Sequence, residues 1–166
     1  MTSSKAQSPS EISRSVSGEK RLTELGIALP PPPEPFGIYV DAVQRGNLLC
    51  LTGMFQARGR EARFIGRAGA ELDVHAGSEA AQLVALNAIA VARKHLRSLD
   101  KVTRIVRVGV LLATSGAPVQ AKVTDAARSC CKRFSAKTGT LPICVQSRKP
   151  FIWGALIELE GIFGGR

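Results

Sequence analysis

The sequence predicts an α+β domain in which a mixed β-sheet carries two long helices on one face. Three observations lead there. The stretch Asp73–Leu99 places Val74, Gly77, Ala81, Val84, Ala85, Ala88, Val91, Ala92, Leu96 and Leu99 on one broad helical face, with Gln82, Arg93, Lys94 and Arg97 opposite. This is the spacing of a helix lying on a core. A second stretch from Pro118 repeats the pattern with Val119, Val123, Ala126, Ala127, Cys130 and Phe134. Short apolar runs flank both stretches, which places a sheet beneath them.

Along the chain, the segment 1–18 is rich in serine and poor in large apolar residues, so it reads as a disordered tail before a domain over 19–166. A short helix from Glu19 has Leu22, Leu25 and Ile27 as anchors, and Pro30–Pro33 enforces an extended link. Gly37–Val43 reads as a strand, Arg45-Gly46-Asn47 as a turn, and Leu48–Thr52 as a continuously apolar, buried strand. Ala57–Glu61 reads as a polar loop and Ala62–Ile65 as a short strand. Asp73 is the expected N-cap of the first long helix, and basic Arg93, Lys94 and Arg97 suit its C-terminal end. Val102–Leu112 is a central strand. Pro118 suits the first turn of the second helix, which Gly139 closes. Leu141–Gln146 and Ala155–Phe163 complete the sheet, with Pro150 between them. The expected order is β-β-β-α-β-α-β-β.

A length of 166 residues and a hydrophobic content of 45% suit one domain with a real core. The net charge of +10 points weakly to anionic partners, since eight aromatic residues in all offer little for base stacking. No apolar run reaches the roughly 18–20 residues that span a bilayer. The N-terminus lacks the apolar core of a secretory signal, so a cytoplasmic location is expected. Cys50, Cys130, Cys131 and Cys144 lack metal-ligand spacing to each other or to His75 and His95. The expectation is four buried free thiols, no metal and no cofactor.

Phosphate-binding glycine loops, the zinc-protease helix motif and the hydrolase serine elbow are all missing. His95 falls on the apolar face of its helix, which suits a hydrogen-bonded core or interface histidine rather than a catalytic base. His75, in the first helical turn, suits an exposed one, and Asp125 a solvated charge. In Ile157-Glu158-Leu159-Glu160 the two carboxylates alternate with apolar residues and so share one face of a strand. That face is either solvent or a polar cleft. In a cleft, mutual repulsion would raise one pKa and create an acid/base candidate.

Tyr39 in Gly37-Ile38-Tyr39-Val40, the strand end Leu51-Thr52-Gly53, the helix ending at Leu99, the strand after it, Cys144-Val145 and Ile157-Glu158-Leu159-Glu160 together resemble the RidA family. This family is also called YjgF or endoribonuclease L-PSP, and has a chorismate-mutase-like fold. Arg21-Leu22 through Pro33 and Asn87 in Leu86-Asn87-Ala88 resemble a longer branch of it. The resemblance covers about residues 20–165. It implies a homotrimer with small-metabolite clefts between subunits. Active members are hydrolases that deaminate reactive enamines and imines, made by pyridoxal-phosphate enzymes, to keto acids and ammonia. By position, Glu158 holds the attacking water, Tyr39 lines the cleft, Gly53 and Cys144 present backbone groups, and Thr52, Pro142 and Ile143 complete the ligand-binding set.

Two positions depart from the pattern. Pro142 stands where the family has its substrate-binding arginine, and Thr124 stands where an asparagine is common. Loss of that arginine removes a charge-assisted contact of roughly 1.5–3 kcal/mol. Arg148 or another nearby base is the candidate substitute. The resemblance thus leaves three readings: an atypical enamine/imine deaminase, an RNA-binding or endoribonuclease-like translation inhibitor, and a non-catalytic trimeric binding module.

Overall fold

The computed structural model describes residues 17–35, 37–134, 141–148 and 154–165. Within them the chain forms α1 (Gly18–Glu24), β1 (Ala42–Arg45), β2 (Leu48–Phe55), β3 (Ala57–Arg58), β4 (Glu61–Ala62), α2 (Val74–Leu96), β5 (Val102–Ala113), α3 (Ala117–Lys132), β6 (Ile143–Arg148) and β7 (Ile157–Gly165). Five strands make one mixed sheet in the order β1-β2-β7-β5-β6, with only β5 and β6 parallel. β3 and β4 form a separate two-stranded ribbon. The α+β class and the helix-on-sheet arrangement are as the sequence predicts.

Helix α2 forms where its pattern requires. The Asp73 carboxylate accepts from the Ala76 N–H at 2.7 Å, capping the first turn. Ala80, Ala81, Val84, Ala85, Ala88, Ile89, Val91 and Ala92 are buried. Small side chains let α3 approach closely: a Cβ added at Gly77 would lie 2.8 Å from a Val123 methyl. The helix stops at Leu96, three residues before the predicted end, because Arg97 turns left-handed at φ 66°. Leu99 is buried all the same, in a short 3₁₀ turn over Leu99–Lys101.

The N-terminal arm docks at this turn. Ser17 caps α1, the Glu19 carboxylate accepts from the Leu99 N–H at 3.0 Å, and Arg93 pairs with Glu19 at 2.9 Å. Leu22 is buried and Ile27 packs on the core, whereas Leu25, an expected anchor, is 42% exposed. The helix starts at Gly18, so the predicted tail boundary falls inside it. Most of that tail, together with Gly139 and Pro150, lies outside the described residues.

Three local expectations change. Gly37–Val43 is a strand only from Ala42, because the Tyr39 N–H turns back to the Gly37 carbonyl at 3.0 Å and bends the chain first. The predicted loop Ala57–Glu61 and strand Ala62–Ile65 are instead the β3–β4 hairpin, turning at Gly59 with φ 61°. Ile65 contributes a single bridge to Ala155.

The third change concerns burial. β2 continues to Phe55, and its side chains alternate: Leu49 and Leu51 face the helices, Leu48 and Cys50 the open side. A run of apolar residues had implied burial on both faces, yet within one chain only one face is covered. Cys50 and Cys144 are therefore exposed, contrary to expectation, while Cys130 and Cys131 are buried. Burial pushes the Cys130 thiol up to about 11 and the Cys131 thiol further, so both are protonated at neutral pH.

Candidate functional site

The alternation predicted for Glu158 and Glu160 is present. Ile157, Leu159 and Phe163 face the helices, and the two carboxylates stand on the open face of β7. Each lies on a glycine of a neighbouring strand. A Cβ added at Gly53 would sit 1.6 Å from Glu158 Oε1, and one at Gly109 would sit 2.5 Å from Glu160 Oε1. Only glycine leaves room for carboxylates laid flat against these strands. Glu160 is also held by Arg107 at 3.0 Å, a partner with no sequence signal, since Arg107 comes from β5 across the sheet.

The seat of Glu158 owes its shape to an irregularity in β2. The pairing register with β7 shifts between Leu51 and Met54, bringing Phe55 opposite Glu158. Thr52 and Gly53 lie at this bulge. Thr52 is tied back: its N–H and its hydroxyl both donate to the Asp41 carbonyl at 3.1 Å, and the hydroxyl also reaches Val40 O at 3.2 Å. A shallow groove here is lined by Pro33, Glu34, Pro35, Tyr39, Asp41 and Gly53. Tyr39, Thr52, Gly53 and Glu158 thus come together at one end of the β2–β7 pair.

Pro142, Ile143 and Cys144 do not join them within one chain. They lie at the start of β6, an edge strand separated from β2 by β5 and β7, a spacing of roughly 14 Å at ordinary strand separations. The Pro142 carbonyl accepts from the Val108 N–H at 2.9 Å. Ile143 packs against the helix-side core, and Cys144 stands exposed beside Gly109 on the open face. Arg148 pairs with Ala113 at the far end of β6.

The histidines lie as expected. His75 is exposed near Glu79, and His95 Nε2 is 2.8 Å from Asp41 Oδ1. Lys94 Nζ binds Asp41 Oδ2 at 2.9 Å. No local pattern marks Asp41, because its partners sit more than fifty residues away on α2. Burial alone would raise its pKa, but hydrogen bonds from Lys94 and His95 outweigh that and hold it below the usual value. A lowered folded-state pKa stabilises the fold above the unfolded-state value, and that contribution disappears as pH falls through the folded value. Stability therefore drops below about pH 4. Asp41→Asn is expected to lower stability at pH 7 by about 1–3 kcal/mol and to flatten this acid limb. Urea unfolding at pH 7 and pH 3 measures both. An unchanged acid limb in the variant would mean that protonation of Asp41 does not drive the loss of stability in acid.

Among the described residues no cluster of three metal-ligating side chains exists, and no helix is long and apolar enough to cross a membrane.

No family model matches the chain. A curated relative, Protein TCP17 of Trypanosoma cruzi, is 28% identical over 143 residues, covering 85% of this chain and 89% of its own. Among solved structures, Atu1372 of Agrobacterium tumefaciens, a protein of unknown function, superposes with a TM-score of 0.79 at 24% identity, covering 92% of this chain and 94% of its own. RidA from the Antarctic bacterium Psychrobacter sp. PAMC 21119 has a TM-score of 0.58 at 19% identity, over 80% and 92% of the two chains. TdcF of E. coli, solved with bound serine, has a TM-score of 0.60 at 17% identity, over 81% and 92%. The resemblance read from the sequence is thus present in three dimensions as a shared fold.

Proposed function

We propose that this chain, which has the fold of the RidA and YjgF proteins, is a homotrimeric enamine/imine deaminase of altered substrate preference. The observation that carries the reading is the Glu158 carboxylate lying on Gly53 at the β2 bulge, beside the Tyr39 groove. A carboxylate fixed in this way can accept a hydrogen bond from water and hold it against an imine carbon. Water adds to C=N, the proton passes to nitrogen, and the carbinolamine collapses to a carbonyl compound and ammonia. Imine plus water becomes ketone plus ammonia, and no redox step is needed.

Two features support assembly. The site residues fall into two groups at opposite sides of the sheet, so they meet only where β6 of one copy faces the β2–β7 end of another. The open face carries Val43 at 55% and Leu48 at 44% exposure, apolar surface of the kind that marks an interface. The serine bound by TdcF supports a small-molecule ligand rather than a macromolecular one.

Pro142 sets the preference. Proline offers neither charge nor N–H, so an α-carboxylate gains no clamp there. Imines without that carboxylate are the expected substrates.

The test is ammonia release from freshly generated 2-aminoacrylate and from a neutral imine, with wild type, Pro142→Arg and Glu158→Ala. Wild type is expected to prefer the neutral imine, and Pro142→Arg to gain roughly 10- to 150-fold on the carboxylated one, matching the roughly 1.5–3 kcal/mol of a charged hydrogen bond. If neither protein releases ammonia from either compound, the deaminase reading fails and a non-catalytic binding module takes its place.

A further inference from the structure

Two buried side-chain amides lie behind the seat of Glu158. Gln56, between β2 and β3, and Asn87, on α2, are both 0% exposed. Asn87 Nδ2 donates to the carbonyls of Phe55 and Ala57, at 2.9 Å each. Those two residues flank Gln56 and fix its backbone. Gln56 Nε2 in turn donates to the Phe64 carbonyl at 3.3 Å, and Gln56 Oε1 accepts from the Ile157 N–H at 3.3 Å. Ile157 directly precedes Glu158. Gly53, the floor of the seat, is three residues before Gln56. A continuous set of hydrogen bonds therefore runs from α2 through the end of β2 to the residue that carries the carboxylate.

Stability alone does not account for Asn87. Its Oδ1 is buried without a hydrogen-bond partner among the described residues, and an unpaired buried acceptor is destabilising. Its neighbours on the same helix, Val84, Ala88 and Val91, are apolar and fully buried. What the amide does that an apolar side chain cannot is grip two carbonyls on either side of one residue, in a stretch whose own pairing is interrupted.

We propose that Asn87, acting through Gln56, is a positioning residue that sets where Glu158 lies relative to Gly53. This rests on the reading of Glu158 as the group that holds water. A displacement of about 1 Å at such a group costs on the order of 100-fold in rate, so a small slip of the β2 end is enough to matter.

Asn87→Leu removes both donors at similar volume. Val91→Ala, on the same helix and fully buried, serves as a control of purely structural damage. For each variant the Tm, the kcat and KM of ammonia release, and the NMR titration of the Glu158 carboxyl are measured. The expected result for Asn87→Leu is a 10- to 100-fold fall in kcat with KM changed far less, and a moved Glu158 titration midpoint. Val91→Ala should lower Tm and leave the midpoint in place. If Asn87→Leu changes only Tm, as the control does, the proposal is overturned. Should wild type release no ammonia, the catalytic reading of Glu158 falls and the titration alone decides: a moved midpoint supports positioning, an unmoved one overturns it. If Asn87→Leu does not fold, Gln56→Met breaks the same link at Ile157 and is read in the same way.

Discussion

Gly53→Ala is expected to lower the proposed deaminase activity by about 100-fold or more while leaving the fold almost unchanged. A methyl group at this position would stand 1.6 Å from Glu158 Oε1, 2.5 Å from its Cδ and 2.8 Å from its Cγ. Every one of those contacts is with the outer part of a flexible side chain. The backbone can therefore stay, and the carboxylate must leave. Alanine is acceptable in a strand, so Tm should change by only a few degrees. Activity should fall to the level of Glu158→Ala, and the double variant should be no worse than either single one, since both remove the same arrangement. Ammonia release with matched thermal melts makes the measurement, and a crystal structure of Gly53→Ala shows where the carboxylate goes. A Gly53→Ala protein with wild-type turnover would mean that the seat is not where water is held.

Phe163→Ala should be the most damaging simple truncation in the core. Phe163 is 2% exposed on β7, the strand between β2 and β5, and is paired with Leu49 on one side and Ile105 on the other. Its ring lies along Gly161, where an added Cβ would come within 2.9 Å of Phe163 Cε2. Removing it leaves a cavity that two neighbouring strands cannot close, at a cost of about 3–5 kcal/mol. At this chain length that corresponds to a Tm lowered by roughly 10 °C. Leu25→Ala, at a 42% exposed position on the N-terminal arm, should stay within about 0.5 kcal/mol. Thermal melts of the two variants decide it. Equal effects would place the core's weight somewhere other than along β7.

The α+β class, the two long helices, the Asp73 cap and the shared face of Glu158 and Glu160 were legible in the sequence. Each follows from residues close together along the chain, through a period of 3.6 or 2 or a side chain reaching its own first turn. Two of the local errors have equally local causes. Arg97 in a left-handed conformation ends α2 early, and a backbone turn at Tyr39 delays β1. Neither residue type announces that conformation.

The candidate site was legible only as a set of names. Family resemblance could mark Tyr39, Gly53, Cys144 and Glu158, but their separation into two groups across the sheet depends on β7 inserting between β2 and β5. Strand order is set by how crossovers pack, which no local pattern encodes. The same holds for Asp41 with Lys94 and His95, for Arg107 on Glu160, and for Asn87 on the carbonyls of Phe55 and Ala57. These partners are thirty or more residues apart. The exposure of Cys50 escapes the sequence for a related reason: a run of apolar residues says that a strand dislikes water, not which of its faces one chain covers. By itself, then, the sequence determined the elements, their inward faces and the carboxylates available. Only the tertiary structure decided which glycine lies under which carboxylate, because that contact is made between strands and exists only once the sheet has closed.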